Sequence, residues 1–304
     1  MEKWDLYTKY REKTGAEHIR GDKIPEGCYH LIVHVWIRNS KGEYLISQRA
    51  ANRPTFPLMW ECVGGSVIKG ESSLEGALRE VKEEVGLDLD KESGKILFSK
   101  IRGSDARYES ETFNDIMDVW LFPYDGELQL EAATTDEVAD CKWMTVSEIK
   151  ELYEEKKLVQ TLDYFFCAVE ADGLDDTDGT TALRATAALP AVELMLGKEV
   201  KGIVDRPAGT VHLQYPGIIC SVNYGYVEGV LAGNGEKQRV YILGTDKPLR
   251  DFEGKVIAVW HRFDTVEDIG IVSLDGKDIA DERILGEISF QEQFFYGKLL
   301  RCGI

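Results

Sequence analysis

Three glutamates that could bind a metal ion together occur within five residues of one another: Glu80, Glu83 and Glu84. Residues 72–84 lack proline, and their pattern predicts a helix that begins at Ser72 or Ser73. At the helical spacing i, i+3 and i+4 the three carboxylates share one face, where like charges repel. Such a face favours a bound cation, and carboxylate oxygens select Mg²⁺, Mn²⁺ or Ca²⁺. The alternative is a solvated acidic face paired with Arg79 and Lys82.

Glycines flank this segment on both sides. Gly64 and Gly65 precede it, and Gly86 follows it. Because glycine has no Cβ, Gly64 and Gly65 allow the backbone to approach a phosphate or a metal closely, and Gly86 can end the helix in a left-handed conformation. We therefore expect Gly64 and Gly65 to contact substrate, and Gly65 to lie at the metal site as well.

The glycines and glutamates form one pattern with fixed spacing. Gly65 is followed after five residues by Glu71 and, after seven more, by the run Arg79–Leu87 (REVKEEVGL). With seven fixed positions and two aliphatic ones, chance predicts ~10⁻⁷ matches in a chain of this length. The pattern resembles the Nudix box, and residues 4–166 are similar to the Nudix hydrolase superfamily. The resemblance implies an α/β fold, an α/β/α sandwich, that cleaves a nucleoside or other organic diphosphate.

The resemblance also implies residue roles. Glu83 and Glu84 match metal ligands of the family, Glu80 matches a ligand or base, and Arg79 matches the residue that orients the glutamates. In the family, water attacks phosphorus while metal ions neutralise the developing charge. We therefore expect Mg²⁺ as the cofactor, with Mn²⁺ as an alternative.

The segment before the box is similar to the branch that contains isopentenyl-diphosphate isomerases. Alternating apolar residues in 31–37 and 44–46 predict a β-hairpin, and Arg49 and Arg53 follow it. We expect both arginines to bind the diphosphate of a small-molecule substrate.

An isomerase is the alternative within this branch. Isomerases carry a catalytic cysteine and a metal-binding histidine where this chain has Gly64 and Ser66, and Cys62 lies two residues away. Their second catalytic carboxylate falls near Met117. Because the hydrolase box is complete here, hydrolysis is the favoured interpretation.

A further carboxylate often completes the metal site from a downstream strand or loop. The two candidates are Asp115 and Glu137, and for each a solvent-facing structural role is an alternative. Residues 142–144 resemble the last strand of the family, which leads into a helix capped by Ser147 or Thr145.

Length and composition limit the remaining function classes. A chain of 304 residues is long enough for two domains, and its start has no signal-peptide pattern. Six cysteines without C-x-x-C pairs fit reduced thiols in the cytoplasm. A net charge of −18 disfavours nonspecific nucleic-acid binding, and no apolar run approaches the length of a membrane span. The sequence is compatible with both a monomer and a homodimer.

The composition changes after the first domain, to which we assign residues 1–170. Residues 171–181 are rich in Gly, Asp and Thr, and 183–195 could form a helix that Pro190 must start or kink. We therefore assign residues 171–195 to a linker and bridging helix. From residue 196 to 304, short β-rich runs with turn signals predict a small β-barrel.

This second region resembles inorganic pyrophosphatases of the five-stranded barrel type. The resemblance rests on residues 222–227 (VNYGYV), 232–236, 266–268 and 294–298. Where active pyrophosphatases have D-G-D-x-x-D, this chain reads NGEKQR at residues 234–239. The residues of this degenerate second site are Asn234, Glu236, Arg239, Asp264, Asp268, Tyr224 and Tyr296.

A neutral amide and a cation in place of two aspartates should prevent a normal metal cluster. The tyrosines could donate hydrogen bonds to a ligand, although aromatic residues in a small barrel are more often core. The sequence therefore predicts a cytoplasmic, Mg²⁺-dependent diphosphohydrolase joined to an inactive barrel that binds, regulates or oligomerises. The rival interpretation is a sensor of phosphorylated metabolites without turnover.

Overall fold

The computed structural model describes residues 2–104, 112–169, 192, 195–211, 218–232, 235–263 and 268–301. The chain divides into two compact units. The first consists mainly of residues before 180, and the second consists of residues from 180 onwards together with Lys9–Arg11. Of the predicted linker and bridging helix, residues 171–191, 193 and 194 lie outside the described residues.

The first unit is a mixed α/β structure. Its strands and helices are β1 (Lys3–Tyr7), β2 (Lys13–Ile19), β3 (His30–Arg38), β4 (Tyr44–Arg49), β5 (Trp60–Glu61), β6 (Val63–Ser66), α1 (Ser73–Val85), β7 (Lys95–Ser104), β8 (Thr112–Pro123), β9 (Val138–Met144) and α2 (Val146–Glu154). Strands β1 and β2 form a separate hairpin. The main sheet has the order β5-β4-β3-β8-β7, with β6 paired to β3 and β9 paired to β4.

Strand β3 lies at the centre of this sheet, and a different element packs on each of its two faces. Leu31, Val33 and Val35 alternate on one face and pack against Val81 and Val85 of α1. Trp36 lies on the opposite face, with its ring centroid 4.4 Å from that of Phe165. The short π-helical turn Phe165–Val169 thus covers the face of the sheet that α1 leaves open.

The predicted β-hairpin is confirmed, because β3 and β4 are antiparallel and Arg38 pairs with Tyr44 beside the turn. Most of their remaining pairing is with other strands: β3 pairs in parallel with β8 from His30 to Arg38, and β4 pairs with β9. A fully buried strand must satisfy backbone groups along both edges, and here more distant strands supply the partners.

The caps of α1 and α2 follow the sequence signals. The Ser72 hydroxyl accepts from the Glu75 amide, and the Glu75 side chain accepts from the Ser72 amide. Gly86 ends α1 with φ 75°. Thr145 and Glu148 form the same reciprocal cap on α2, so Thr145 rather than Ser147 is the N-cap.

The second unit contains a closed barrel of five strands. Its elements are β10 (Glu199–Arg206), β11 (Asn223–Leu231), β12 (Lys237–Leu243), β13 (Asp251–Arg262), β14 (Asp268–Ser273), α3 (Asp281–Glu292) and β15 (Gly297–Leu300). The order β10-β11-β12-β14-β13 closes through pairing of β10 with β13, and β15 extends β13. The predicted barrel is confirmed, but the sequence analysis missed α3 and β15. No helix in the described part of the chain is both long and apolar enough to cross a membrane.

Candidate active site

Helix α1 carries its three glutamates at graded depth. Glu84 is buried, and the Gly64 amide lies 3.4 Å from its Oε2. The Glu80 side chain is largely buried, whereas the Glu83 side chain is 38% exposed. The helical spacing therefore places the carboxylates on one face, as predicted, with an inner end beneath β6 and an outer end open to solvent.

The glycine pair of β6 allows this close approach. A Cβ on Gly65 would lie 2.4 Å from Glu80 Oε1, so any side chain there would displace the carboxylate. A Cβ on Gly64 would instead lie 2.4 Å from the Val33 carbonyl oxygen of β3. Gly65 is therefore needed for the glutamate, and Gly64 is needed for strand pairing.

Arg79 connects the acidic residues of the box. Its Nη1 donates to Glu80 Oε1 at 2.9 Å and to Glu83 Oε2 at 3.0 Å. Its Nε and Nη2 donate to the two carboxylate oxygens of Glu71, and Nη2 also donates to the Ser66 carbonyl. A single planar guanidinium thus fixes the positions of three carboxylates relative to β6.

Two further carboxylates lie close enough to influence the box electrostatically. Glu61 is bound by Arg49, whose Nη1 lies 2.5 Å from Glu61 Oε1. Glu137 forms an ion pair with Arg53. The two arginines that we predicted as substrate ligands are therefore paired with carboxylates of the site.

The pKa values show how strongly these groups interact. Burial raises the pKa of Glu80 to about 7; Arg79 opposes this shift, and Glu83 and Glu137 add to it. Burial raises the pKa of Glu84 well above its ordinary value, and the charges of Glu80, Glu61 and Glu137 raise it further.

Burial also raises the pKa of Glu61. The charge of Glu137 adds to this upward shift, and Arg49 and Arg53 oppose it. Added positive charge beside Glu61, Glu80 and Glu84 would lower their pKa values and favour the ionised carboxylates.

Glu61 was missed in the sequence analysis. It is an acidic residue between the buried Trp60 and Cys62, just before the buried Val63, and this interruption of an apolar run was the available signal.

The two candidates for a further carboxylate differ in position. Glu137 adds to the upward shift of the pKa values of Glu80 and Glu84, and its side chain forms an ion pair with Arg53. Asp115 is buried and receives two hydrogen bonds from Arg102 of β7, at 2.7 and 2.8 Å. Asp115 is therefore held in a structural ion pair, and the structure does not bring it together with the box glutamates.

Two isomerase positions can also be compared. Met117 is buried in the core. Cys62 is buried, and burial together with the charge of Glu61 raises the pKa of its thiol well above the ordinary value. A thiol held protonated is a poor nucleophile.

The described residues of the second predicted site are engaged with separate partners. Arg239 donates two hydrogen bonds to Asp205, at 2.8 and 2.9 Å, and lies over the Tyr224 ring. Asp268 lies 2.7 Å from His261 Nδ1. Asn234 and Asp264 lie outside the described residues.

Tyr224 and Tyr296 are both buried, and Glu236 is exposed. Arg239 thus places an ion-paired cation beside a core tyrosine.

Part of this chain is similar to known proteins. The NUDIX domain model matches residues 29–167. An uncharacterised Nudix hydrolase of Listeria innocua is 38% identical over 167 residues, which are 55% of this chain and 91% of that protein. An isopentenyl-diphosphate Delta-isomerase of Shigella flexneri is 27% identical over 121 residues, 40% of this chain and 64% of that protein. A crystal structure of a Deinococcus radiodurans protein, 22% identical, covers 52% of this chain and 92% of its own with a TM-score of 0.40.

The chain belongs to the Nudix hydrolase family. Membership indicates a hydrolase that acts on phosphorus-containing anhydrides such as nucleoside diphosphate derivatives, generally with a divalent metal ion. The described residues of the family match lie in the first unit, which also contains the box.

Proposed function

We propose that the first unit is a cytoplasmic, Mg²⁺-dependent diphosphohydrolase whose substrate is an organic or nucleoside diphosphate. One observation carries the proposal. Arg79 holds Glu80 and Glu83 of α1, and the Glu80 carboxylate lies beneath Gly65. Glu61 and Glu137, whose charges raise the pKa of Glu84, are paired with Arg49 and Arg53. This arrangement combines an acidic site for a cation with a basic site for phosphate.

The residues present fit a divalent cation. Carboxylate oxygens are the ligands that Mg²⁺ and Mn²⁺ prefer, and burial of several carboxylates together is relieved by added positive charge. No group of three or more His, Cys, Asp or Glu side chains among the described residues is arranged to hold a metal as it stands. Arg79 binds one carboxylate oxygen of Glu80 and one of Glu83, so the second oxygen of each can act as a ligand while Arg79 stays in place.

We assign Glu83 and Glu84 as metal ligands, Glu80 as a ligand or base, and Glu137 as the further carboxylate. A bound Mg²⁺ would supply positive charge to the phosphate oxygens and to the attacking water. Arg79 positions Glu80 and Glu83 for this role.

Arg49 and Arg53 can bind phosphate oxygens with their planar guanidinium groups. The buried Glu84 fixes the inner end of the site against the Gly64 amide.

The test is a hydrolysis screen of the full chain against a metabolite panel with Mg²⁺. Glu83→Gln and Glu84→Gln should each lower turnover by on the order of 10² or more, because each removes metal-ligand charge with almost no change in shape. Glu151→Gln changes an exposed glutamate of α2 and serves as the matched control. Near-wild-type turnover of both box variants at saturating Mg²⁺ would contradict the assignment.

For the barrel we propose a binding, regulatory or oligomerisation role without catalysis. The observation that favours this role is the Asp205–Arg239 ion pair, because Arg239 stands where the resembling pyrophosphatases have an aspartate. A sensor of phosphorylated metabolites in both units is the second candidate. Full-chain protein that binds diphosphates with Mg²⁺ and releases neither phosphate nor pyrophosphate would favour the sensor.

A further inference from the structure

His34 of β3 is a half-buried histidine with a hydrogen bond at only one of its ring nitrogens. Because Val33 and Val35 face α1, His34 lies on the opposite face of the sheet. Its Nδ1 lies 2.7 Å from the Tyr164 hydroxyl, and no group among the described residues bonds its Nε2. Burial lowers the pKa of His34 to about 3, so the ring is neutral at pH 7.

The hydrogen bonds of Tyr164 decide which nitrogen of His34 carries the proton. The Tyr164 hydroxyl is fully buried, and Trp36 Nε1 donates to it at 3.2 Å. It is also hydrogen-bonded to the Cys62 thiol, whose pKa burial raises well above the ordinary value, so the thiol has a proton to donate. With its oxygen accepting from the indole and the thiol, the hydroxyl directs its own proton to Nδ1 of His34. Nε2 then carries the ring proton and is a hydrogen-bond donor.

The Nε2 edge of the ring faces the glycine that contacts the innermost box glutamate. A Cβ on Gly64 would lie 3.3 Å from His34 Cδ2, the ring carbon bonded to Nε2. The Gly64 amide lies 3.4 Å from Glu84 Oε2. By these distances and standard bond lengths, His34 Cδ2 and the Glu84 carboxylate are within about 10 Å of each other. The imidazole and the buried end of the box therefore meet at one residue of β6.

We propose that His34 Nε2 donates a hydrogen bond to an oxygen of the substrate's diphosphate, and that Tyr164 positions the ring for this contact. The inference rests on the proposed hydrolase function and adds a binding residue from outside the box. The reason is charge, because the box carboxylates repel a diphosphate. A neutral donor attracts the phosphate oxygens without placing a further cation in competition with Mg²⁺ for the same carboxylates.

Two substitutions of His34 separate the roles of its two nitrogens. The amide of His34→Asn falls near Nδ1 and can still bond Tyr164, but no atom replaces Nε2. The amide of His34→Gln reaches the position of Nε2 and offers an N–H there, but it loses the bond to Tyr164. Tyr164→Phe removes the positioning hydroxyl, and Tyr153→Phe, which removes a hydroxyl from α2, is the matched control.

The full-length variants are titrated by calorimetry with methylenediphosphonate, a diphosphate analogue that is not hydrolysed, in the presence of Mg²⁺. His34→Asn should weaken binding by about 10–100-fold, as expected for one hydrogen bond to a charged group. His34→Gln should weaken it less, Tyr164→Phe should also weaken it, and Tyr153→Phe should bind like wild type. A histidine with only a structural role would give the opposite order, with His34→Asn binding like wild type. That order, or a wild type that does not bind the analogue, would overturn the inference.

The tautomer of His34 is an independent readout. Long-range ¹H–¹⁵N spectra of histidine-labelled protein, assigned with His34→Gln, should show the proton on Nε2, and this nitrogen should shift when methylenediphosphonate and Mg²⁺ are added. A proton on Nδ1 would refute the inference, because Nε2 could not then donate. Binding through His34 without hydrolysis of any compound in the metabolite panel would uphold the inference and reject the hydrolase function. Hydrolysis that is indifferent to His34→Asn would do the reverse.

Discussion

At the scale of single residues, the box glutamates could be read from sequence because their role depends on local spacing. The neighbours that complete the site could not be read in the same way. Glu61 and Glu137 are 76 residues apart in the sequence (137 minus 61). Their segments come together because β4 pairs with β5, which contains Glu61, and with β9, which follows Glu137. Asp115 was an equal candidate in sequence, and only the Arg102 ion pair separates it from Glu137.

Gly64 and Gly65 give a residue-scale prediction in which the same added Cβ has two different effects. Gly65→Ala should leave the fold intact and lower kcat/KM by on the order of 10², because the group that must move is the end of the Glu80 side chain. Gly64→Ala should lower the free energy of unfolding by about 1–3 kcal/mol, because the group that must move is the backbone of β3.

Urea unfolding and steady-state kinetics on both variants check this contrast. A Gly65→Ala protein with wild-type kcat/KM would show that Glu80 can leave its position without loss of function. A Gly64→Ala protein of unchanged stability would show that β3 and β6 can separate at little cost.

At the scale of elements, helix ends were predictable and strand partners were not. The helix ends depend on residues within one helical turn of one another, so they can be predicted from the sequence. These residues are Ser72 and Glu75 at the start of α1, Gly86 at its end, and Thr145 and Glu148 at the start of α2. The parallel pairing of β3 with β8 depends on residues about 85 positions apart, as in His30 with Asp115. Helix α3 was missed because its polar and apolar residues do not separate clearly into faces.

Helix α3 supplies a buried ion pair that fastens it to the barrel. Glu292 accepts two hydrogen bonds from Arg262 of β13, at 2.9 and 2.6 Å, and a third from the Tyr241 hydroxyl of β12 at 2.5 Å. Arg262, Tyr241 and Glu292 are all buried.

Glu292→Gln should therefore lower the free energy of unfolding of the barrel by about 3–5 kcal/mol, because it leaves the Arg262 charge buried without its counterion. Urea unfolding measures the loss. The matched control is Asp275→Asn, which removes the partner of Lys277 in an exposed ion pair and should leave the unfolding midpoint unchanged. Equal stability of Glu292→Gln and wild type would mean that water reaches Arg262.

At the scale of the whole molecule, family membership identifies the class of the first unit, whereas the second unit is characterised by its strand topology. A small barrel was expected from short β-rich runs, whereas the closed order of β10, β11, β12, β14 and β13 was not predicted. The predicted boundaries at residues 170 and 195 stay predictions, because most of the segment between them lies outside the described residues. The pyrophosphatase resemblance likewise stays a prediction, and chemistry provides its test.

The barrel should not hydrolyse pyrophosphate in the full chain. With Glu83→Gln and Glu84→Gln introduced together, so that the first unit is silent, pyrophosphate and Mg²⁺ should release phosphate at background rate. The physical reason is charge: Arg239 is held by Asp205 where a pyrophosphatase needs an anion, and Asp268 is bound to His261. Robust cleavage that Asp268→Asn abolishes would contradict this prediction. The protein would then contain two sites that hydrolyse phosphoanhydrides, one in each unit.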